Sequence, residues 1–120
     1  MKHGLHETTI QKICAILTRY PQVEKAVLYG SRAKGNYKNG SDIDLTLYGG
    51  VGLTLHVLYK IVNELDDLLL PYTIDLSIFN DIGDPDVIEH IQRAGVTFYE
   101  KAGGKAEDVE VEKRRPMAGN

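Results

Sequence analysis

Cysteine is nearly missing from this chain: Cys14 is the only one in 120 residues. A single thiol closes no internal disulfide, so a small fold stapled by cystines is excluded. Tryptophan is absent and aromatic residues make up only 8% of the chain. Long apolar runs are lacking as well, and every uncharged, strongly apolar stretch falls far short of the roughly 18 residues that a membrane span needs. The opening stretch, MKHGLHETTIQK, turns polar too early for a signal peptide. Nor is there an excess of positive charge, since 14 Lys and Arg face 17 Asp and Glu for a net charge of −3. A broad basic footprint for nucleic acid is therefore not expected, and direct nucleic-acid binding is set aside. The default expectation is a cytoplasmic protein without membrane association. What is present suits one domain, with 42% hydrophobic residues to build a modest core.

Residues 7–20 place Ile10, Ile13, Ile16/Leu17 and Tyr20 at spacings of three and four, which predicts a helix with one apolar stripe ended by Pro21. Cys14 lies on or beside that stripe and reads as a core filler. Residues 23–29 predict a buried strand that stops at Gly30-Ser31, followed by a polar loop over 32–41 with room for one helical turn. Residues 42–48 and 73–79 alternate with period two, Ile43, Leu45 and Leu47 in one and Ile74, Leu76 and Ile78 in the other. Between them, residues 53–69 carry a helical stripe that Pro71 ends. Residues 84–94 predict a last helix with Asp84 as its cap and Pro85 at its first position. The order is helix, strand, loop, strand, helix, strand, helix. It predicts an α+β or α/β layered fold, a small sheet with helices on its apolar face. The domain is expected to span residues 1–102. Residues 103–120 mix charges without apolar periodicity and read as a flexible tail.

The acidic residues matter by position. Asp42 and Asp44 are two apart on a strand, so both project from one face. Asp75 stands in a later strand with the same parity, and if the two strands are neighbours the three carboxylates converge. Like charges at partial burial repel and lose hydration, which cations relieve. An all-oxygen ligand set favours Mg²⁺ or Mn²⁺ over zinc. Upstream, Gly30 allows close backbone approach, and amide groups with the Ser31 hydroxyl suit phosphate oxygens. Arg32 and Lys34 lie nearby. A phosphate cradle beside a carboxylate metal site is the arrangement expected for phosphoryl or nucleotidyl transfer.

Gly30-Ser31, ten intervening residues, Asp42-Ile43-Asp44-Leu45 and the later Asp75 together resemble the DNA polymerase beta-type nucleotidyltransferase superfamily. The stretch LYGSRAKGNYKNGSDIDLTLYG is similar in particular to its minimal nucleotidyltransferases (MNT). The resemblance runs from about residue 7 to residue 99. It implies a minimal nucleotidyltransferase palm with a small mixed sheet. Gly30 and Ser31 would contact the β- and γ-phosphates of a nucleoside triphosphate, with Arg32 steadying them. Asp42 and Asp44 would bridge two divalent ions, and Asp75 would complete the site of the ion that activates the attacking hydroxyl. Minimal members of this kind are paired with small all-helical HEPN-type proteins, and some act as antitoxins that move AMP from ATP onto a tyrosine of that partner.

Two alternatives stay open. In one, the chain neutralises a partner by covering it, without catalysis. In the other, the acceptor is a small molecule such as an aminoglycoside, against which the lack of a second, acceptor-binding domain counts. An open sheet edge and apolar helix surfaces leave room for a homodimer or a hetero-oligomer. The remaining candidates have ordinary readings. His3, His6, His56 and His90 are scattered without zinc spacing and suit surface or helix-packing roles. Tyr20, Tyr29 and Tyr99 suit the core or its rim, and Tyr37 sits where it would stack against a base.

Overall fold

The apolar stripe at the start of the chain becomes α1 (Glu7–Thr18), which buries Ile13, Ile16 and Leu17. The structure, a computed structural model, describes residues 1–38 and 40–102. The tail assigned to residues 103–120, with its boundary, lies outside the described residues. After α1 come β1 (Lys25–Tyr29), the single turn α2 (Ser31–Lys34) and β2 (Ile43–Tyr48). Then follow α3 (Leu55–Asp66), β3 (Ile74–Ile78), a 3-10 turn at Phe79–Asp81, α4 (Pro85–Ala94) and β4 (Val96–Glu100). Polar residues cap two of the helices, as their type favours. Thr54 accepts from the Val57 amide at 3.3 Å to start α3, and Asp84 accepts from the Asp86 amide at 2.9 Å to start α4.

The four strands form one mixed sheet in the order β3-β2-β1-β4. β1 pairs antiparallel with β2 and with β4, whereas β2 and β3 run parallel, joined by α3. Alternation divides the sheet into two faces. Ala26 and Leu28 of β1 and Ile43, Leu45 and Leu47 of β2 are buried in one core with Ile13 and Leu17 of α1 and Ile61 and Leu65 of α3. This core is the main source of stability, because removing apolar area from water is worth about 25 cal/mol per Å². Cys14 is half-buried beside it, and burial pushes its thiol pKa up, as suits an inert packing residue.

The opposite face carries Val27, Thr46 and Ser77, and beyond them Tyr29, Asp44 and Asp75. α4 lies on this face over β1, where Val27 and Ile91 are buried outside the main core. The helices are thus divided between the faces, α1 and α3 on the apolar one and α4 on the other. On this face α4 packs against β1, and Asp75 of β3 is exposed.

The sequence reading expects three strands, and the fourth, β4, is a correction to it. β4 pairs with β1 through a register shift between Ala26 and Val27. That irregularity breaks the period of two, so Phe98 and Tyr99 follow one another without a polar partition. The run Val-Thr-Phe-Tyr after Gly95 is nevertheless rich in strand-forming types, and this was the available signal.

Candidate active site

Asp44 is the second residue of β2, and its register places it between Tyr29 on β1 and Asp75 on β3. Directly paired residues on neighbouring strands, about 4.8 Å apart, present their side chains on the same face. The alternation that sends Ile43 and Leu45 into the core therefore turns Asp44 and Asp75 outward side by side. Asp42 sits just before β2, whose ladder opens with the Ile43 amide donating to the Thr73 carbonyl at 2.9 Å. Asp42 and Asp75 are exposed and Asp44 is half-buried. Burial raises the Asp44 pKa above its ordinary value, and the charges of Asp75 and Asp42 raise it further. The Asp44 carboxylate is therefore harder to ionise than an exposed one. One row further along the same face, the Ser77 hydroxyl donates to Thr46 Oγ1 at 2.9 Å. Tyr29 beside Asp44 also has a raised pKa, from burial first, with a Ser77 hydrogen bond opposing and Asp75 and Asp44 adding to it.

Gly30 follows β1 with φ 78° and ψ −155°, a backbone conformation open almost only to glycine. A Cβ at this position would also collide with Asp44 Oδ2, so the carboxylate rests against the bare Gly30 backbone. Ser31 then opens α2, and its carbonyl accepts from the Gly35 amide at 2.9 Å. The Gly30 amide donates to His90 Nε2 of α4 at 3.1 Å. The His90 ring also meets the Tyr29 ring edge-on, with centroids 6.2 Å apart and planes at 72°. Sequence reasoning missed His90 as a member of this site. It lies 60 residues from Gly30, and only the packing of α4 on β1 brings the two together.

Arg32 is positioned differently from the outward carboxylates. It is only 2% exposed. Its Nε and Nη2 donate to the Ser41 carbonyl at 3.1 and 2.9 Å, and its Nη1 donates to the His3 carbonyl at 2.9 Å. The guanidinium lies 5.2 Å from the Tyr37 ring centroid and 4.9 Å from that of Tyr72. Arg32 thus ties together the N-terminal turn, the loop before Asp42 and the approach to β3, and Tyr37 is engaged with it. Among the described residues, no group of three or more His, Cys, Asp or Glu side chains is gathered closely enough to hold an ion. The described arrangement is a pair of adjacent carboxylates, Asp44 and Asp75, with Asp42 at the edge.

The family described as "Polymerase beta, Nucleotidyltransferase" matches residues 11–103. The chain belongs to this nucleotidyltransferase family. No curated protein matches it. Solved structures of similar fold include a toxin–antitoxin complex with AMP-PNP, at 19% identity and TM-score 0.62, covering 82% of this chain and 76% of that one. Another is a tri-AMPylated HEPN toxin of Shewanella oneidensis in complex with its MNT antitoxin, at 16% identity and TM-score 0.60, covering 81% and 74%. The MntA–HepT toxin–antitoxin complex matches at 16% identity and TM-score 0.59, covering 80% and 74%. At these identities the likeness is one of fold. No helix among the described residues of this nucleotidyltransferase is long and apolar enough to cross a membrane.

Proposed function

We propose that this chain is a Mg²⁺-dependent nucleotidyltransferase that moves AMP from ATP onto a tyrosine hydroxyl of a small all-helical HEPN-type partner, and so acts as its antitoxin in the cytoplasm. The observation that carries the reading is the Asp44–Asp75 pair, in register on adjacent strands, with Asp44 seated against Gly30. The donor set fits a hard divalent ion: it is all carboxylate oxygen, and burial, with the charges of Asp75 and Asp42, raises the Asp44 pKa, which a bound cation would offset. Asp42, Asp44 and Asp75 would hold Mg²⁺ or Mn²⁺. When bound, such ions stabilise the entering and leaving oxygens of an in-line displacement at phosphorus.

The chain's own residues supply position. The Gly30-Ser31 turn beside Asp44 offers the Ser31 hydroxyl and amide to the triphosphate. In the reaction the acceptor hydroxyl gives up its proton to solvent, its oxygen bonds to the α-phosphorus as the bond from that phosphorus to the α,β-bridging oxygen breaks, and pyrophosphate leaves. Arg32, buried, holds the loop that ends in Asp42 and so serves the site from behind. The family match and the fold of the toxin–antitoxin structures support this reading, including the AMPylated toxin that one of them contains.

The test is to incubate the protein with α-labelled ATP, MgCl₂ and its helical partner. Label is expected on a partner tyrosine with the wild type and none with Asp44→Asn. An unlabelled partner, under conditions where the two proteins bind, rejects the transfer.

A further inference from the structure

The Gly30 amide is a backbone donor at the edge of the carboxylate pair, and its partner is a side chain from a distant helix. His90 stands on α4, next to the buried Ile91, and its Nε2 accepts from the Gly30 N–H at 3.1 Å. Gly30 needs such a partner more than most residues. It holds φ 78° and ψ −155°, and the Asp44 carboxylate occupies the space that a side chain would fill. A peptide in so sparsely populated a conformation persists only when its surroundings hold it. The α2 turn holds it on one side, with the Gly30 carbonyl accepting from the Lys34 amide at 3.1 Å. His90 holds it on the other. The edge-on contact with Tyr29 fixes the imidazole ring in turn, so the restraint runs from α4 through the ring to the Gly30 peptide and then to Asp44.

We infer that His90 is a positioning residue of this site, holding the Gly30 peptide through Nε2 so that the Asp44 carboxylate keeps its place for a divalent cation. The inference rests on the reading of Asp44 as a metal ligand. It has a corollary for substrate binding. With its N–H given to His90, Gly30 acts as a structural member of the turn, and Ser31 supplies the donors there. Residues that orient metal ligands in this indirect way typically change metal affinity or activity by about 10- to 100-fold when lost.

Two substitutions separate positioning from packing. His90→Phe keeps a ring against Tyr29 but has no acceptor. His90→Gln keeps an acceptor near the place of Nε2 but has no ring. Three readouts apply to the full chain: hydrogen exchange of the Gly30 amide by NMR, affinity for Mn²⁺ alone, and AMP transfer to the partner with MgCl₂. His90→Phe is expected to lose Gly30 protection and at least ~10-fold in Mn²⁺ affinity, whereas His90→Gln stays within about threefold of wild type. Wild-type values for His90→Phe would overturn the inference, because the ring contact would then suffice, and equal losses in both variants would overturn it too, because an acceptor would then not preserve the site. If wild type binds Mn²⁺ but transfers nothing, the transferase reading fails while the two variants still decide the role of His90.

Discussion

At Asp44 the stability of the fold and the proposed function pull in opposite directions. Its carboxylate is half-buried between Tyr29 and Asp75, and the folded chain holds its proton more tightly than an unfolded chain does. Ionising it therefore costs folding free energy as pH rises above the usual value of 3.8, and the cost persists at neutral pH. Below 3.8 both states are protonated and the cost vanishes. Asp44→Asn removes the charge and nearly preserves the shape. It is expected to melt at a higher temperature than wild type at pH 7, with the gap closing toward pH 3.8. Adding MgCl₂ should narrow the gap at pH 7 from the other side, since an ion bound only by folded wild type stabilises it. Thermal melts of both proteins, at both pH values and with and without MgCl₂, check this. A variant that melts below wild type at pH 7 would show that Asp44 sits in a satisfied network and is not a ligand waiting for an ion.

At the scale of elements, the two Asp-bearing strands were legible because alternation is a local property. Ile43, Leu45 and Leu47 lie on one side of Asp44 and Thr46, and Ile74, Leu76 and Ile78 repeat the pattern around Asp75. Alternation assigns faces but not neighbours, so the parallel pairing of β2 with β3 had to come from the fold. β4 was lost to a bulge, and His90 to a sequence separation that no periodicity spans. The turn α2 shows a different limit. The composition of Arg-Ala-Lys after Gly-Ser points to positive charge near phosphate, yet the fold turns Arg32 inward, where two carbonyls and two tyrosine rings receive it. Burial of an arginine in this way makes it a fastener. Arg32→Ala leaves the Ser41 and His3 carbonyls without their donor and opens space between Tyr37 and Tyr72. It should destabilise the protein by roughly 3 kcal/mol, the sum of lost hydrogen bonds and a partly collapsed cavity. Arg32→Lys should recover only part of this, because one ammonium cannot reproduce the forked contact. Urea denaturation of the two variants measures both.

For the whole molecule, the question is whether the carboxylates act on the partner or the surface does. The four-stranded sheet has its apolar face closed by α1 and α3, while α4 packs against β1 on the other face, where Asp44 is half-buried and Asp75 exposed. Of the three expected ligands, two are exposed and one is half-buried, and none of the three belongs to the core. Substitutions at exposed positions away from buried networks usually shift stability by no more than about 0.5 kcal/mol. Asp42 is such a position, and Asp44→Asn relieves a half-buried charge, so an Asp42→Asn/Asp44→Asn double variant should fold and keep whatever surface it uses to bind the partner. If AMP transfer neutralises the partner, the double variant will bind it with wild-type affinity and leave its toxicity intact. If contact alone suffices, the same variant will protect cells as well as wild type does. Co-expression with the partner, scored by growth and paired with a pull-down from the same cultures, reads both quantities at once. Growth rescue by the double variant would reject catalysis as the means of neutralisation, and retained binding without rescue would establish that the acidic pair acts chemically.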